Sequence, residues 1–288
     1  LFRLRLQLLN DSNFSHDAFP EVEARFLTGD FPPAIVAEFR NMLDHYGQAP
    51  IIVRSSSLLE DGFGNSFAGK YRSEFCANQG SPERRLKDFL RAVKLVYASA
   101  LNPDVLTYRR KWGLAERDEQ MAVLVQRVSG RRQGHLFFPT LAGVALSHNL
   151  YVWADRIDPT KGVIRLVFGL GTRAVDRVGS DYPRMIPVSH PDLRPEIGIA
   201  IAKYAQRYVD TIDLEENAFA TLPFSTIEGD TSNRHLLVSE LRDGGVYDPI
   251  SRIRTTGAGR NQILTFNNLI RKTEFVSMLD EMLTALEQ

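Results

Sequence analysis

The sequence predicts an α+β protein, and two kinds of segment predict it. Some segments place apolar residues at helical spacing behind a proline or a capping residue, whereas others are short apolar runs rich in β-branched residues. The two kinds alternate along the chain, and polar clusters fall in the connections between the apolar runs. We therefore expect helices packed on sheets, with the chemistry carried by loops that follow strands.

In the first half of the chain, segment 1–6 alternates apolar residues with arginine, which we interpret as a strand. Residues 33–46 follow a proline with apolar residues at helical spacing and predict a helix. The run 51–53 predicts a covered strand. The tripeptides at 81–83 and 102–104 each combine a capping residue, a proline and an acid, so each predicts a helix start.

The second half of the chain also alternates predicted strands with predicted helices. Strands are predicted at 121–128, 143–147, 163–168 and 235–239, and helices at 196–209 and 275–286. Prolines recur at every fourth position from Pro183 to Pro195, and these predict an irregular connection after Gly179. The sequence contains no internal repeat and no low-complexity tract.

Composition excludes several classes of function. Lysine plus arginine and aspartate plus glutamate each number 35, so the excess of basic charge typical of a nucleic-acid partner is missing. The single cysteine, Cys76, excludes an internal disulfide and a multi-cysteine metal site. No apolar run is long enough to span a bilayer, and arginines interrupt the segment that a signal peptide would need. We expect a cytoplasmic protein that binds neither nucleic acid nor membrane.

The segment 51–70 carries the clearest sign of a ligand. Arg54 follows a β-branched run and brings a permanently charged planar fork to a loop of serines and glycines. Such loops approach anions closely and offer backbone N–H and hydroxyl donors, which is typical of phosphate binding. The segment is not a Walker A loop, which needs Gly-x-x-x-x-Gly-Lys-Ser/Thr before a helix. A solvated arginine beside an ordinary turn is the structural alternative.

A known family carries the same motifs in the same order. Its run V-R-S-S … E-D … S-F-A-G is matched here by Val53-Arg54-Ser55-Ser56, Glu60-Asp61 and Ser66-Phe67-Ala68-Gly69. Four later motifs match segments 97–110, 121–128, 142–147 and 169–171. The chain thus resembles the nucleotide-binding domain of phosphoenolpyruvate synthase and pyruvate phosphate dikinase. Because five motifs keep one order, a chance resemblance explains them poorly.

The resemblance implies an ATP-grasp-like nucleotide-binding domain of two lobes, spanning 1–130 and 131–288, with the second lobe incomplete at its C-terminus. It implies ATP and Mg²⁺ as cofactors and Arg54 as the catalytic contact to phosphate. The other nucleotide-binding residues that it implies are Ser66, Phe67, Ala68 and Gly69 in the loop, Gln126, Arg127 and Val128 at the adenine hinge, and Thr172 and Arg173 after the Gly-Leu-Gly turn. Metal ligands are not identifiable from the sequence.

The acceptor of the phosphoryl group follows from the same resemblance. In the family, ATP phosphorylates a histidine on a separate domain, which carries the phosphate to pyruvate on a third domain, so these two domains of the parent chain are the expected partners. None of the six histidines lies in the family's threonine-serine-histidine context. Glucan water dikinases and rifampicin phosphotransferases share the domain with other acceptors. A non-catalytic module that keeps the fold is a further alternative.

Departures from the family pattern lead to an expectation about activity. Thr172 stands where the family has a glutamate, and no family-type Gln-x-Arg strand is found before Gln288. The chain begins without methionine, and residues 1–50 offer no counterpart of the family's early lysine. We expect a segment truncated at both ends that is inactive by itself and binds nucleotide weakly or not at all.

Overall fold

The structure is a computed structural model. It describes residues 2–10, 14–57, 60, 69–114, 121–175, 179, 181–227, 233–250 and 261–287. The chain divides into two units: unit 1 consists of Leu1–Val128 and Ile212–Phe219, and unit 2 consists of Ser129–Thr211 and Ala220–Gln288. Helices and strands occur in both units, which confirms the predicted α+β class.

Unit 1 combines helices with one small sheet. Its helices are α1 (Phe2–Asn10), α2 (Phe19–Thr28), α3 (Pro33–Tyr46), α4 (Pro82–Ser99) and α5 (Pro103–Lys111), and its strands are β1 (Ile51–Ser57), β2 (Ser73–Cys76) and β3 (Met121–Arg127). The three predicted helix starts are confirmed, since α3, α4 and α5 each begin at a proline. Capping is local: Ser81 Oγ accepts the Arg84 N–H, and Asn102 Oδ1 accepts the Asp104 N–H.

The sheet of unit 1 is antiparallel in the order β2-β1-β3. Ile51 and Val53 of the central strand are fully buried, and they belong to the same core as Phe89 and Val96 of α4. Side chains alternate between the two faces of a strand, so one face of this sheet is committed to the core. The apolar face of α4 that the sequence predicted packs there.

Two predictions in unit 1 need correction. Segment 1–6 was expected to be a strand, but residues 2–10 form α1; leucine, arginine and glutamine favour helices, and no β-branched residue is present there. Strand β1 does not end at Val53, because residues as far as Ser57 pair with β3. Arg54 therefore lies in the middle of a strand and not at its end.

Unit 2 contains three small sheets and short helices. Its strands are β4 (Arg131–Gln133), β5 (Leu136–Phe138), β6 (Ala142–Leu146), β7 (Val163–Val167), β8 (Arg184–Pro187), β9 (Tyr208–Asp213), β10 (Ala218–Pro223), β11 (Val238–Arg242), β12 (Gly245–Tyr247) and β13 (Gln262–Leu264). Its helices are α6 (Thr172–Val175), α7 (Ala200–Lys203), α8 (Arg234–Leu237), α9 (Asn267–Lys272) and α10 (Phe275–Leu286), with a 3₁₀ turn at Phe224–Thr226.

The sheets of unit 2 have the orders β6-β7-β8, β10-β9-β5-β4 and β12-β11-β13. The tip of the β9–β10 hairpin, Ile212–Phe219, belongs to unit 1. Phe138, Ile164, Ile186 and Phe266 are among the most deeply buried side chains of the unit 2 core. The predicted strands at 143–147 and 163–168 are confirmed within one residue, and the predicted helix at 275–286 is confirmed.

Three predictions in unit 2 need correction. The segment 196–209 is helical only in α7, because Gly198 adopts a left-handed φ of 57° and the chain from Tyr208 joins a sheet as β9. The segment 235–239 becomes a strand only at Val238. Leu237 ends α8, and its carbonyl accepts the N–H groups of Thr265 and Phe266. The connection after Gly179, expected to be irregular, contains strand β8.

Cys76 lies in the core of unit 1 and is 7% exposed. Burial, the largest cause, and then the nearby charge of Glu74 raise the pKa of its thiol to about 12, so the thiol stays protonated and inert near neutral pH. Among the helices that the structure describes, none combines the length and apolar character needed to cross a membrane.

Candidate nucleotide-binding site

Arg54 lies on the side of the unit 1 sheet that faces away from the core. Its neighbours directly across the sheet are Ser73 of β2 and Leu124 of β3. The side chain is exposed, and within the described part of the chain no carboxylate pairs with it and no hydrogen bond engages it. Its charge and its donors are therefore not used by the described residues.

Alternation along the three strands defines a surface that we call the open face of unit 1. It carries Ile52, Arg54, Ser56, Ser73, Phe75, Ala122, Leu124 and Gln126. Gln126 lies opposite Ile52, which makes it a diagonal neighbour of Arg54 on the same face, about 7–8 Å away by sheet geometry. The structure thus brings together two residues that the sequence predicted to serve opposite ends of one ligand.

The backbone of β3 is arranged as a hinge requires. Among the described strands β3 pairs only with β1, and the Val128 N–H donates to Pro50 O at 2.9 Å. Hydrogen-bonded positions alternate in an antiparallel pair, so the polar groups of Val125 and Arg127 point to the outer edge. Tyr46 Oη donates to Val125 O at 3.0 Å. The N–H and C=O of Arg127 remain at that edge.

The open face also has an apolar part. Leu124 is 44% exposed although it is a large apolar side chain. Phe75 stacks on Phe219 from the tip of the β9–β10 hairpin, with ring centroids 5.6 Å apart and planes at 29°. Ile52 of the central strand lies between Phe75 of β2 and Gln126 of β3. An apolar area therefore adjoins the cationic position, which is the division that a nucleotide needs.

The predicted loop ligands are only partly described. Ser66, Phe67 and Ala68 lie outside the described residues. Gly69 has a φ of +74°, a conformation that favours glycine. Before the loop, the Ser55 hydroxyl donates to Glu60 Oε1 at 3.0 Å, and after it the Lys70 ammonium lies 5.3 Å from the centre of the Tyr108 ring.

The Gly-Leu-Gly turn belongs to unit 2 and is tied to strand β9. The Leu170 N–H donates to Asp210 O at 2.9 Å, and Thr172 Oγ1 donates to Asp210 Oδ2 at 2.6 Å. Arg173 Nε donates to the other carboxylate oxygen at 3.0 Å. The Thr172 hydroxyl and the Arg173 guanidinium thus both donate to the buried carboxylate of Asp210.

Arg173 also joins a second carboxylate. Its Nη1 donates to Asp181 Oδ2 at 2.7 Å, and Asp181 accepts the backbone N–H groups of Arg207 and Tyr208. Arg173, Asp181 and Asp210 are 8%, 6% and 4% exposed. The cluster therefore links the Gly-Leu-Gly turn, the segment before β8 and strand β9. Arg173 as a nucleotide ligand stays a prediction.

The chain matches a family model described as the pyruvate phosphate dikinase AMP/ATP-binding domain, over residues 5–221. The chain belongs to this family. The recognition from sequence motifs is confirmed, and Arg54, the 126–128 segment and the Gly-Leu-Gly turn all lie in the matched part of this AMP/ATP-binding domain. A search of curated proteins found no match.

Sequence reasoning missed several features of the AMP/ATP-binding domain. Phe75 was not singled out, and Leu124 was considered only as part of the apolar strand at 121–128. Asp181 and Asp210 were missed because their partner, Arg173, is distant in sequence and no local pattern marks them. Among the described residues, no group of three or more histidine, cysteine, aspartate or glutamate side chains is placed to hold a metal ion.

The tight packing of the Gly-Leu-Gly turn leads to a prediction. Gly169 has a φ of +93°, and a Cβ there would lie 2.5 Å from Val209 Cγ1 and 2.8 Å from Asp210 O. Gly169→Ala should lower the free energy of unfolding of unit 2 by about 2–4 kcal/mol, from backbone strain plus overpacking. The change in unfolding free energy is measured by urea denaturation, with tryptophan fluorescence as the signal. Gly179→Ala is the matched control, because nothing lies within 4 Å of its Cβ position; equal effects at both sites would contradict the packing argument.

Proposed function

We propose that the chain is the ATP-binding part of an ATP-grasp phosphotransferase of the pyruvate phosphate dikinase type. The full enzyme would transfer a phosphoryl group from ATP to a histidine on another domain and then to pyruvate. Membership of the AMP/ATP-binding family supports ATP as the bound nucleotide. The acceptor, the later transfer and the two partner domains rest on the family resemblance.

One observation carries the proposal for the site: Arg54 and Gln126 share the open face of unit 1, beside an edge of β3 that no other described strand pairs with. In this arrangement the adenine edge would meet the backbone N–H and C=O of Arg127. Gln126 would contact the base or ribose from the sheet face, and Val128 would close the hinge from its buried position. Leu124 and the Phe75–Phe219 stack would supply apolar surface for the ring.

Arg54 would act on the phosphates. Phosphoryl transfer depends mainly on positioning and on stabilising the charge that spreads over the phosphate oxygens. A guanidinium provides a planar pair of charge-assisted hydrogen bonds for that purpose. In the proposal Ser66, Phe67, Ala68 and Gly69 cover the phosphates, with their small residues and backbone donors. Arg54 is thus the residue to which we assign the catalytic role.

Mg²⁺ is part of the proposal through ATP, since this ion is usually held by phosphates and one or two carboxylates. The described residues form no cluster that would hold it, so no step is assigned to it. The side chains of Thr172 and Arg173 bind Asp210. Their contribution to nucleotide binding would therefore come through the turn that they stabilise.

Two alternatives keep the same domain. A related dikinase would pass the phosphate to a glucan or an antibiotic, and a non-catalytic module would bind nucleotide without transfer. Thr172 in place of the family's glutamate was the sequence argument for the second. In the structure this threonine donates a hydrogen bond to Asp210.

The test is phosphorylation of the full-length gene product. The protein is incubated with Mg²⁺ and ATP labelled on the β or the γ phosphate, and the labelled protein is examined for an acid-labile, base-stable phosphoryl group. Label that forms on a histidine and then passes to pyruvate supports the proposed enzyme. Label that passes to a glucan or an antibiotic, and not to pyruvate, supports the related dikinase. Bound ATP without any label on the protein identifies the non-catalytic module.

A further inference from the structure

Unit 2 has a polar concavity that the proposed function does not use. It is open to solvent, and its lining includes Tyr182, Arg184, Arg194, Glu196, Tyr204 and Gln206. Arg184 begins strand β8, opposite Leu166 of β7. Arg194 comes from the segment that follows β8. The concavity therefore sits where one strand end meets the connection after it.

Arg184 is a buried cation with incomplete hydrogen bonding. It is 6% exposed, and its Nη2 reaches the carbonyl oxygens of Pro191 and Leu193 only at 3.4 Å. Its Nε is buried without an acceptor. Burial, and then the charge of Arg194, lower the pKa of Arg184 to about 9. A charged group in such surroundings is costly unless a partner of opposite charge accompanies it.

Arg194 adds a second set of unsatisfied donors. Its Nε and Nη1 are buried without a hydrogen-bond partner. The Glu196 carboxylate lies 3.4 Å from its Nε but does not have hydrogen-bond geometry. Burial lowers the pKa of Arg194 as well. Arg184 Nε and Arg194 Nη1 are therefore buried without an acceptor, and Arg194 Nε has only the Glu196 carboxylate at 3.4 Å.

Two further acidic groups act on the pair electrostatically, but both bind Arg271. Asp192 accepts from Arg271 Nε at 2.5 Å, and Asp248 accepts from Arg271 Nη1 at 3.0 Å. Asp248 also accepts from Ser239 and Asn267. On the lining of the concavity two guanidinium groups thus face a single carboxylate, that of Glu196.

We propose that this concavity binds a phosphate group through Arg184 and Arg194. Guanidinium forks match phosphate oxygens in geometry, and desolvated donors make the strongest charge-assisted hydrogen bonds. The ligand would be inorganic phosphate or the phosphate of a small organic molecule. Tyr182 and Tyr204, whose ring centroids are 5.3 Å apart, line the same concavity beside the cations. The site uses none of the residues assigned to ATP and goes beyond the proposed function.

Inorganic phosphate titrated into the chain by calorimetry tests the proposal, with the thermal unfolding midpoint as a second readout. Wild type should bind phosphate and gain thermal stability, whereas Arg184→Met and Arg194→Met should each weaken binding at least about tenfold, the loss expected for one charge-assisted pair. Arg156→Met, an exposed arginine of unit 2, is the matched control and should bind as wild type does. Phenyl phosphate, an organic phosphate without a nucleoside, in a parallel titration separates the sources, because an organic phosphate site would bind it with the same dependence on both arginines.

A purely structural role for Arg184 makes the opposite prediction. If Arg184 only clamps the carbonyls of Pro191 and Leu193, Arg184→Met should destabilise the phosphate-free protein, and phosphate should have no effect on wild type. If Arg184 instead binds an anion, Arg184→Met removes a buried charge that has few hydrogen bonds. The thermal unfolding midpoint of the phosphate-free variant should then equal or exceed that of phosphate-free wild type. If Arg184→Met fails to fold, Arg194→Met and Arg194→Lys still test whether phosphate binding depends on the arginine pair. Equal binding of phosphate and phenyl phosphate in wild type and the Arg194 variants, or no binding in wild type, would overturn the proposal.

Discussion

Replacement of Arg54 by alanine should lower the rate of ATP-dependent phosphorylation by about 100- to 1,000-fold, the usual loss when one preorganised donor to a developing charge is removed. Arg54 is exposed on the open face and has no partner among the described residues, so the variant should fold normally. The measurement is the initial rate of phosphohistidine formation in the full-length gene product. Arg54→Lys should recover only part of the rate, because lysine keeps the charge and loses the planar fork.

Arg40→Ala is the matched control for this prediction. Arg40 is an exposed arginine of unit 1 on helix α3, away from the open face. It should phosphorylate at the wild-type rate with an unchanged thermal unfolding midpoint. Full activity in Arg54→Ala would contradict the catalytic role assigned to Arg54, even if the protein still binds ATP.

Replacement of Arg173 by methionine should lower the free energy of unfolding of unit 2 by about 3–5 kcal/mol, because it leaves two buried carboxylates without their cation. Asp181 and Asp210 are 6% and 4% exposed, and both bind Arg173 directly. The measurement is urea denaturation at neutral pH. The sequence has two tryptophans, so Trp112→Phe leaves Trp153 as a fluorescent reporter in unit 2.

Two further variants separate the ion pair from general loss of a side chain. Arg156→Met removes an exposed arginine of unit 2 and should leave the urea midpoint close to that of the parent. Asp210→Asn combined with Arg173→Met should cost less than the sum of the single changes, with a coupling of about 0.5–3 kcal/mol. An unchanged midpoint in Arg173→Met would show that the cluster does not stabilise unit 2.

The fold was predictable where local chemistry decides it. Helices α3, α4 and α5 begin at the prolines that predicted their first residues, with capping residues before α4 and α5. Helix α10 and strand β3 were predicted from the pattern of apolar residues within each segment. Segment 1–6 was assigned wrongly because its alternation suggested a strand, although its residue types favour the helix that forms. The segment 196–209 was assigned wrongly as one helix, because Gly198 has a left-handed φ and the chain from Tyr208 joins a sheet as β9.

The candidate site was predictable in its residue types and only partly in its geometry. Arg54 and Gln126 could be singled out from motifs, yet their common face depends on the pairing of β1 with β3, which joins segments about 70 residues apart. The same pairing extended β1 through Ser57 and moved Arg54 from a strand end to its middle. The exposed apolar surface of Leu124 and Phe75 became visible only with the sheet.

The sequence alone determined the family, the α+β class and the elements whose signals lie within a few neighbouring residues. The tertiary structure alone decided which face of the unit 1 sheet is open, which carboxylates neutralise Arg173, and which arginines of unit 2 are buried with unsatisfied donors. The physical reason is the range of the interactions. Caps and periodicity act over a few residues, whereas strand register, burial and buried charge pairs depend on segments that meet only after the chain has folded.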